Sequence, residues 1–154
     1  MERCALAHSY HEKGYNCAQS VLAAFGDLTH LSEPEALALA GALGGGFGGS
    51  HQEACGALTG ALMVLGLLYP HTAENDAEAK RRIYGIAKDF QQRFQSRFSC
   101  TRCGDLLRTR IEVTDALPAA KRLGISQHCD ILIVTAVEML EEMLEEMLAE
   151  RPQL

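Results

Sequence analysis

No stretch of this chain stays apolar for the roughly 20 residues that a helical bilayer span requires, so no membrane partner is expected. The opening segment, MERCALAHSYHEKG, lacks the apolar core of a secretory signal, and the cytoplasm is the expected location. Basic residues are scarce in the first half: residues 1–77 hold 2 Lys/Arg against 8 Asp/Glu, and the net charge is −6. That balance argues against a nucleic-acid partner. Strand-like alternation of apolar and polar residues is missing, which excludes a sheet protein. No Ser-His-Asp arrangement, phosphate-binding glycine loop or HExxH motif is present, so the common hydrolase, nucleotide and zinc-protease chemistries find no support. Whether the chain is an enzyme at all is left open.

What is present reads as helix almost throughout. With 154 residues and 47% apolar content, residues 1–154 are expected to form a single helical domain around one sizeable core. The expected architecture is all-α, a bundle of about six to seven helices around an apolar central helix at about 51–69. Asn16 followed by Gln19, and Ser32 followed by Glu35, have the spacing of reciprocal N-terminal capping boxes. Ser50 with Glu53 repeats that spacing ahead of ACGALTGALMVLGLLY, the expected central helix, which Pro70 ends. Further helices are expected over about 2–13, 75–97 and 104–110, before Gly124, and from about Ser126 to Glu150.

The last of these carries EMLEEMLEEML, a repeat of four residues. Four residues turn about 400°, so the Met–Leu stripe drifts about 40° per repeat around the helix. Such a stripe suits a partner helix crossing at an angle, within the domain or at a homodimer contact. Met139, Met143 and Met147 read as core filling rather than metal ligands. Residues 80–110 hold 9 Lys/Arg against Asp89 and Asp105. A basic segment can steer an acidic partner or raise the potential around thiolates, but a solvated helix face is the commoner meaning.

Six cysteines, Cys4, Cys17, Cys55, Cys100, Cys103 and Cys129, are many for a reducing compartment, where they signal metal binding, redox chemistry or buried packing. Cys17 follows the Asn16 cap, Cys129 falls in the first turn of the last helix, Cys103 precedes a short helix, and Cys55 is expected in the second turn of the central helix. Free amides and the positive dipole end favour thiolate at such positions. Thiolate is both nucleophile and metal ligand. Cys100-Thr101-Arg102-Cys103 is a single CxxC without the histidine of a haem attachment site and without a second pair at zinc-ribbon spacing. His51 and His128 adjoin two of the cysteines, as hydrogen-bond donors to a ligand or alternate ligands or, more ordinarily, as exposed residues of a helix start. No partner pattern accompanies His8, His11, His30 or His71.

Cys55-Gly56-Ala57-Leu58-Thr59-Gly60 resembles the CGAxxG motif of the C_GCAxxG_C_C family of redox-active four-cysteine proteins. Asn16-Cys17-Ala18-Gln19 is similar to its first cysteine element, Gly44 to Phe47 to its glycine-rich approach, Cys103-Gly104-Asp105-Leu106-Leu107 to its third, and Cys129 to its fourth. The resemblance implies a small helical protein in which Cys17, Cys55, Cys103 and Cys129 converge as a redox centre, with Cys4 and Cys100 outside the pattern and Cys100 available to replace Cys103. Related domains occur beside electron-transfer modules, which makes an iron–sulfur cluster the expected cofactor and a redox protein the expected partner. Gly46, Gly48, Gly49, Gly56 and Gly60 are then expected to supply loop amides and clearance around Cys55. Two other readings stay open: a metal-free thiol–disulfide oxidoreductase using Cys17 with Cys55 or Cys100 with Cys103, and an interaction module whose cysteines are simply buried.

Overall fold

A computed structural model describes residues 2–150; Met1 and residues 151–154, the ends of the expected 1–154 unit, lie outside the described residues. Nine helices form among the described residues: α1 (Arg3–Glu12), α2 (Cys17–Ala23), α3 (Gly26–Thr29), α4 (Glu33–Ala40), α5 (Gly56–Leu68), α6 (Ala77–Phe98), α7 (Cys103–Arg108), α8 (Pro118–Leu123) and α9 (His128–Ala149). The bundle is all-α, and its extra members relative to expectation are short pieces such as the four-residue α3.

Two of the three predicted capping boxes set helix starts. Asn16 Oδ1 accepts the Gln19 amide and Gln19 Oε1 accepts the Asn16 amide, both at 2.9 Å. Ser32 Oγ accepts the Glu35 amide at 3.2 Å while Glu35 Oε2 accepts the Ser32 amide at 2.8 Å. Each box satisfies two N-terminal amides that the helix cannot. Side chains at the first box also reach α4's end: Asn16 Nδ2 donates to Gly41 O and Gln19 Nε2 to Leu37 O.

The third box does not form. Ser50 Oγ instead donates to Gly46 O at 2.7 Å and accepts the Gln52 amide at 3.2 Å. His51 is left-handed, with φ 62°, so the helix cannot run through it. Residues 51–55 are drawn out straight because their partners lie elsewhere in the chain: Ala54 and Arg102 form an isolated antiparallel bridge. The Cys55 amide donates to Thr101 O and the Cys103 amide to Glu53 O, each at 2.8 Å. The Gly104 amide donates to His51 O at 2.9 Å. The central helix therefore begins at Gly56, five residues later than expected, with Cys55 as its N-cap rather than in its second turn.

One continuous core joins the helices. α5 shares its centre with α9, whose residues from Asp130 to Val137 are all buried and which packs against α1, α2, α5, α6 and α8. The drifting stripe of α9 explains how that helix leaves the core. Met139, Leu140 and Met143 are buried, Leu144 and Met147 are half-buried, and Leu148 is exposed. Packed against α9, α6 buries Phe90, Phe94 and Phe98 at a four-residue spacing, with the last two rings 5.0 Å apart. The basic run of α6 is a solvated face, with Lys80, Arg81, Arg82 and Lys88 all exposed.

Candidate redox centre

Four helices aim their N-termini at one place. Cys17 and Cys103 are the first residues of α2 and α7, Cys55 caps α5, and Cys129 is the second residue of α9. All four line one cavity of about 80 Å³, together with His51, His128, Gly45 and the leucines Leu106, Leu107 and Leu132. Cys55 lies deepest and is buried; Cys17, Cys103 and Cys129 are half-buried. Every cysteine is a free thiol.

Local structure accounts for each placement. The Asn16 box fixes Cys17. The paired segments 53–55 and 101–103 hold Cys55 and Cys103 side by side, and Arg102 reinforces the pairing by donating from Nε to Gln52 O at 2.8 Å and from Nη1 to Asp105 at 3.0 Å. Glycines then bring backbone close to sulfur. A Cβ on Gly56 would overlap the Cys17 sulfur, and one on Gly46 would stand 2.7 Å from the Cys103 Cβ. Gly60 lets α2 approach α5, since a Cβ there would come within 2.8 Å of Ala18 O. The small-residue strip thus serves helix packing at Gly60 and sulfur clearance at Gly56.

The loop before Cys55 has an unusual backbone. Gly45, Gly46, Phe47, Gly48 and Gly49 all have positive φ, between 60° and 71°. Four glycines tolerate this at no steric cost, whereas Phe47 does not. Of the glycines expected at the site, Gly46 and Gly56 touch it and Gly60 supports it. A Cβ at Gly48 or Gly49 would meet nothing within 4 Å, and the lining glycine is Gly45.

Burial, not the helix termini, dominates the thiol chemistry. The Cys55 thiol is pushed up to about 12, first by burial and then by the neighbouring Cys17; the amides of Ala57 and Leu58 face it and pull the other way without a cap hydrogen bond. Cys129 is pushed up to about 11 by burial, then by Cys17, Cys103 and Asp130. Cys103 is raised by burial and by Cys17. A helix terminus is worth about 0.3–1 kcal/mol to a charge. Three pH units are worth about 4 kcal/mol, so desolvation wins over the thiolate preference expected from placement alone. Cys17 is the electrostatic neighbour of all three other thiols.

The remaining cysteines stand apart. Cys4 is buried between α1 and α9, its thiol directed at Val134 O at 3.6 Å. Cys100 sits just beyond α6, with its sulfur 3.8 Å from Phe98 O, and does not line the cavity. Two histidines without a partner pattern do find one. His11 Nδ1 lies 2.5 Å from Asp130 Oδ1 and His8 Nε2 lies 3.7 Å from Asp130 Oδ2, so α1 grips the residue next to Cys129. Their spacing of three on α1 was the only signal in the sequence. His128, at the cavity wall, is lowered by burial and so favours its neutral form.

Among the described residues, no three His, Cys, Asp or Glu side chains are grouped tightly enough to hold a metal ion, so the sulfurs surround a space rather than share a point. A search of curated proteins and a search of solved structures each found no match to this chain. Four free thiols around one cavity form a cysteine cluster on a helical bundle. The chain belongs to the C_GCAxxG_C_C family, described as "Putative redox-active protein (C_GCAxxG_C_C)", whose model matches residues 15–143. That span contains all four cavity cysteines and leaves out Cys4, His8 and His11.

Proposed function

We propose that Cys17, Cys55, Cys103 and Cys129 bind an iron–sulfur cluster and that the protein exchanges electrons with a redox partner protein. The observation that carries this reading is the common cavity: four thiols from four helix starts face one space of about 80 Å³. Donor chemistry fits, since such clusters are held by four thiolates. Gly46 and Gly56 leave bare backbone where a Cβ would crowd Cys103 and Cys17. Bound there, a cluster supplies reversible one-electron transfer.

The chain's own residues have definable parts. Cys55 anchors from below, where Ala57 and Leu58 turn their amides toward its sulfur. Leu106 and Leu132, both buried, keep water from that side. His11 and His8 hold Asp130 and so fix the first turn of α9 behind Cys129. The raised thiols are protonated at neutral pH, so metal binding releases protons and tightens as pH rises.

That protonation also separates this reading from metal-free thiol exchange. The favourable observation for exchange is that Cys17 neighbours all three other thiols, which would let it pair with any of them. Against it, thiols held at about 11 and about 12 are poor nucleophiles near pH 7, whereas a bound cation would relieve their burial. Anaerobic purification followed by iron and sulfide analysis and a visible spectrum decides the matter. Bound iron with matching sulfide and a broad visible band is expected; a colourless, iron-free, folded protein that forms a disulfide on mild oxidation would establish thiol exchange instead.

A further inference from the structure

We infer that the four ligands are divided into a fixed floor and an open face, and that the centre exchanges with incoming thiols, which suits it to deliver a cluster to a thiol-bearing acceptor protein. The inference rests on the cluster reading above and adds a direction of access to it. Cys55 is 4% exposed, whereas Cys17, Cys103 and Cys129, which line the same cavity, are half-buried. His51 and Leu107 line that cavity and are themselves exposed, Leu107 by 44%, so among the described residues this side of the cavity is open to solvent.

Two further features favour exchange over permanent storage. His51 and His128 line the same cavity as the four sulfurs, so its wall carries two further polar residues beside the cysteines. The segment that presents Cys103 is also held to the Cys55 segment by local backbone bonds, three of which run from residues 51–55 to 101–104, and no core side chain of α7 beyond Leu106 is buried. Cys103 can therefore lose its bond without disturbing the bundle. In each step an incoming thiolate forms one iron–sulfur bond and one bond to Cys103 or Cys129 breaks. The released sulfur takes a proton from solvent, and no electron changes hands.

The test uses the whole chain in two forms. In anaerobic metal-free protein, brief iodoacetamide treatment followed by mass mapping should label Cys103 about tenfold faster than Cys55, reflecting access. In anaerobically reconstituted protein, a ferrous-iron chelator should remove iron within minutes, and reduced glutathione should speed that loss about tenfold by supplying the exchanging thiolate. Iron that stays with the protein for hours in chelator plus glutathione overturns the open face while leaving the cluster intact. Labelling of Cys55 as fast as Cys103 overturns it as well. A protein that never takes up iron during reconstitution overturns the cluster reading itself, and this inference with it.

Discussion

The two ends of α9 contrast sharply. At its start, Cys129 and Asp130 sit among helix N-termini, a left-handed glycine loop, and thiols whose ionisation burial opposes. Along its second half, Met139, Leu140 and Met143 are buried in ordinary apolar packing where α9 lies against α6 and its buried Phe90, Phe94 and Phe98 stripe, closed at the rim by Arg93 between Asp89 and Glu146. The first region spends free energy on backbone strain and buried polarity; the second supplies it by burial. The proposed site sits where local rules are broken, and stability where they are kept.

The largest test of that division is Phe94→Ala. Removing a fully buried ring should cost about 4 kcal/mol in urea unfolding and leave iron content per folded chain unchanged. Loss of iron from the folded variant would show that the two regions are not separable. Gly56→Ala should do the reverse. Its methyl would overlap the Cys17 sulfur and come within 3.0 Å of the Ala18 amide, costing about 3 kcal/mol and abolishing iron binding in whatever fraction folds.

Third in size is a pH effect confined to the cysteine end. Cys55 and Cys129 are raised in the folded state, so the unfolded chain loses their protons first as pH rises. The stability linked to keeping them protonated is full below the unfolded thiol value of about 8.5 and is lost as pH climbs toward about 11 to 12. For Cys55 alone the loss by pH 10 should be about 2 kcal/mol in metal-free protein. Denaturant titrations at pH 7 and pH 10 measure it, and a Cys55→Ala variant should show a smaller difference. The smallest effect belongs to Asn16→Ala, which removes the cap beside Cys17 and should cost about 1 kcal/mol by urea unfolding.

Much of this contrast was legible before the structure. Apolar periodicity and the caps at Asn16 and Ser32 located helices because those signals act over four residues or fewer. That Cys17, Cys55, Cys103 and Cys129 share one cavity was legible from their motif, and the clearance at Gly56 from the small residues around it. What escaped depends on chain distant in sequence. Ser50 and Glu53 have perfect capping spacing, yet Cys103 and Gly104, fifty residues on, take the carbonyls of Glu53 and His51 and pull the segment straight. The grip of His11 on Asp130 spans 119 positions, and its one local trace, the spacing of three between His8 and His11, did not point to Asp130. Thiolate preference at the helix starts failed for a related reason: dipoles are read from position, but desolvation depends on what the whole fold packs around the sulfur.

Iron content across six single variants, each purified and reconstituted anaerobically, tests the central claim most directly. Cys17→Ser, Cys55→Ser, Cys103→Ser and Cys129→Ser should each lose most bound iron, while Cys4→Ser and Cys100→Ser keep the wild-type amount. Full iron in the Cys103→Ser chain, or equal loss in the Cys4 and Cys100 variants, would contradict a single centre built from the four cavity thiols.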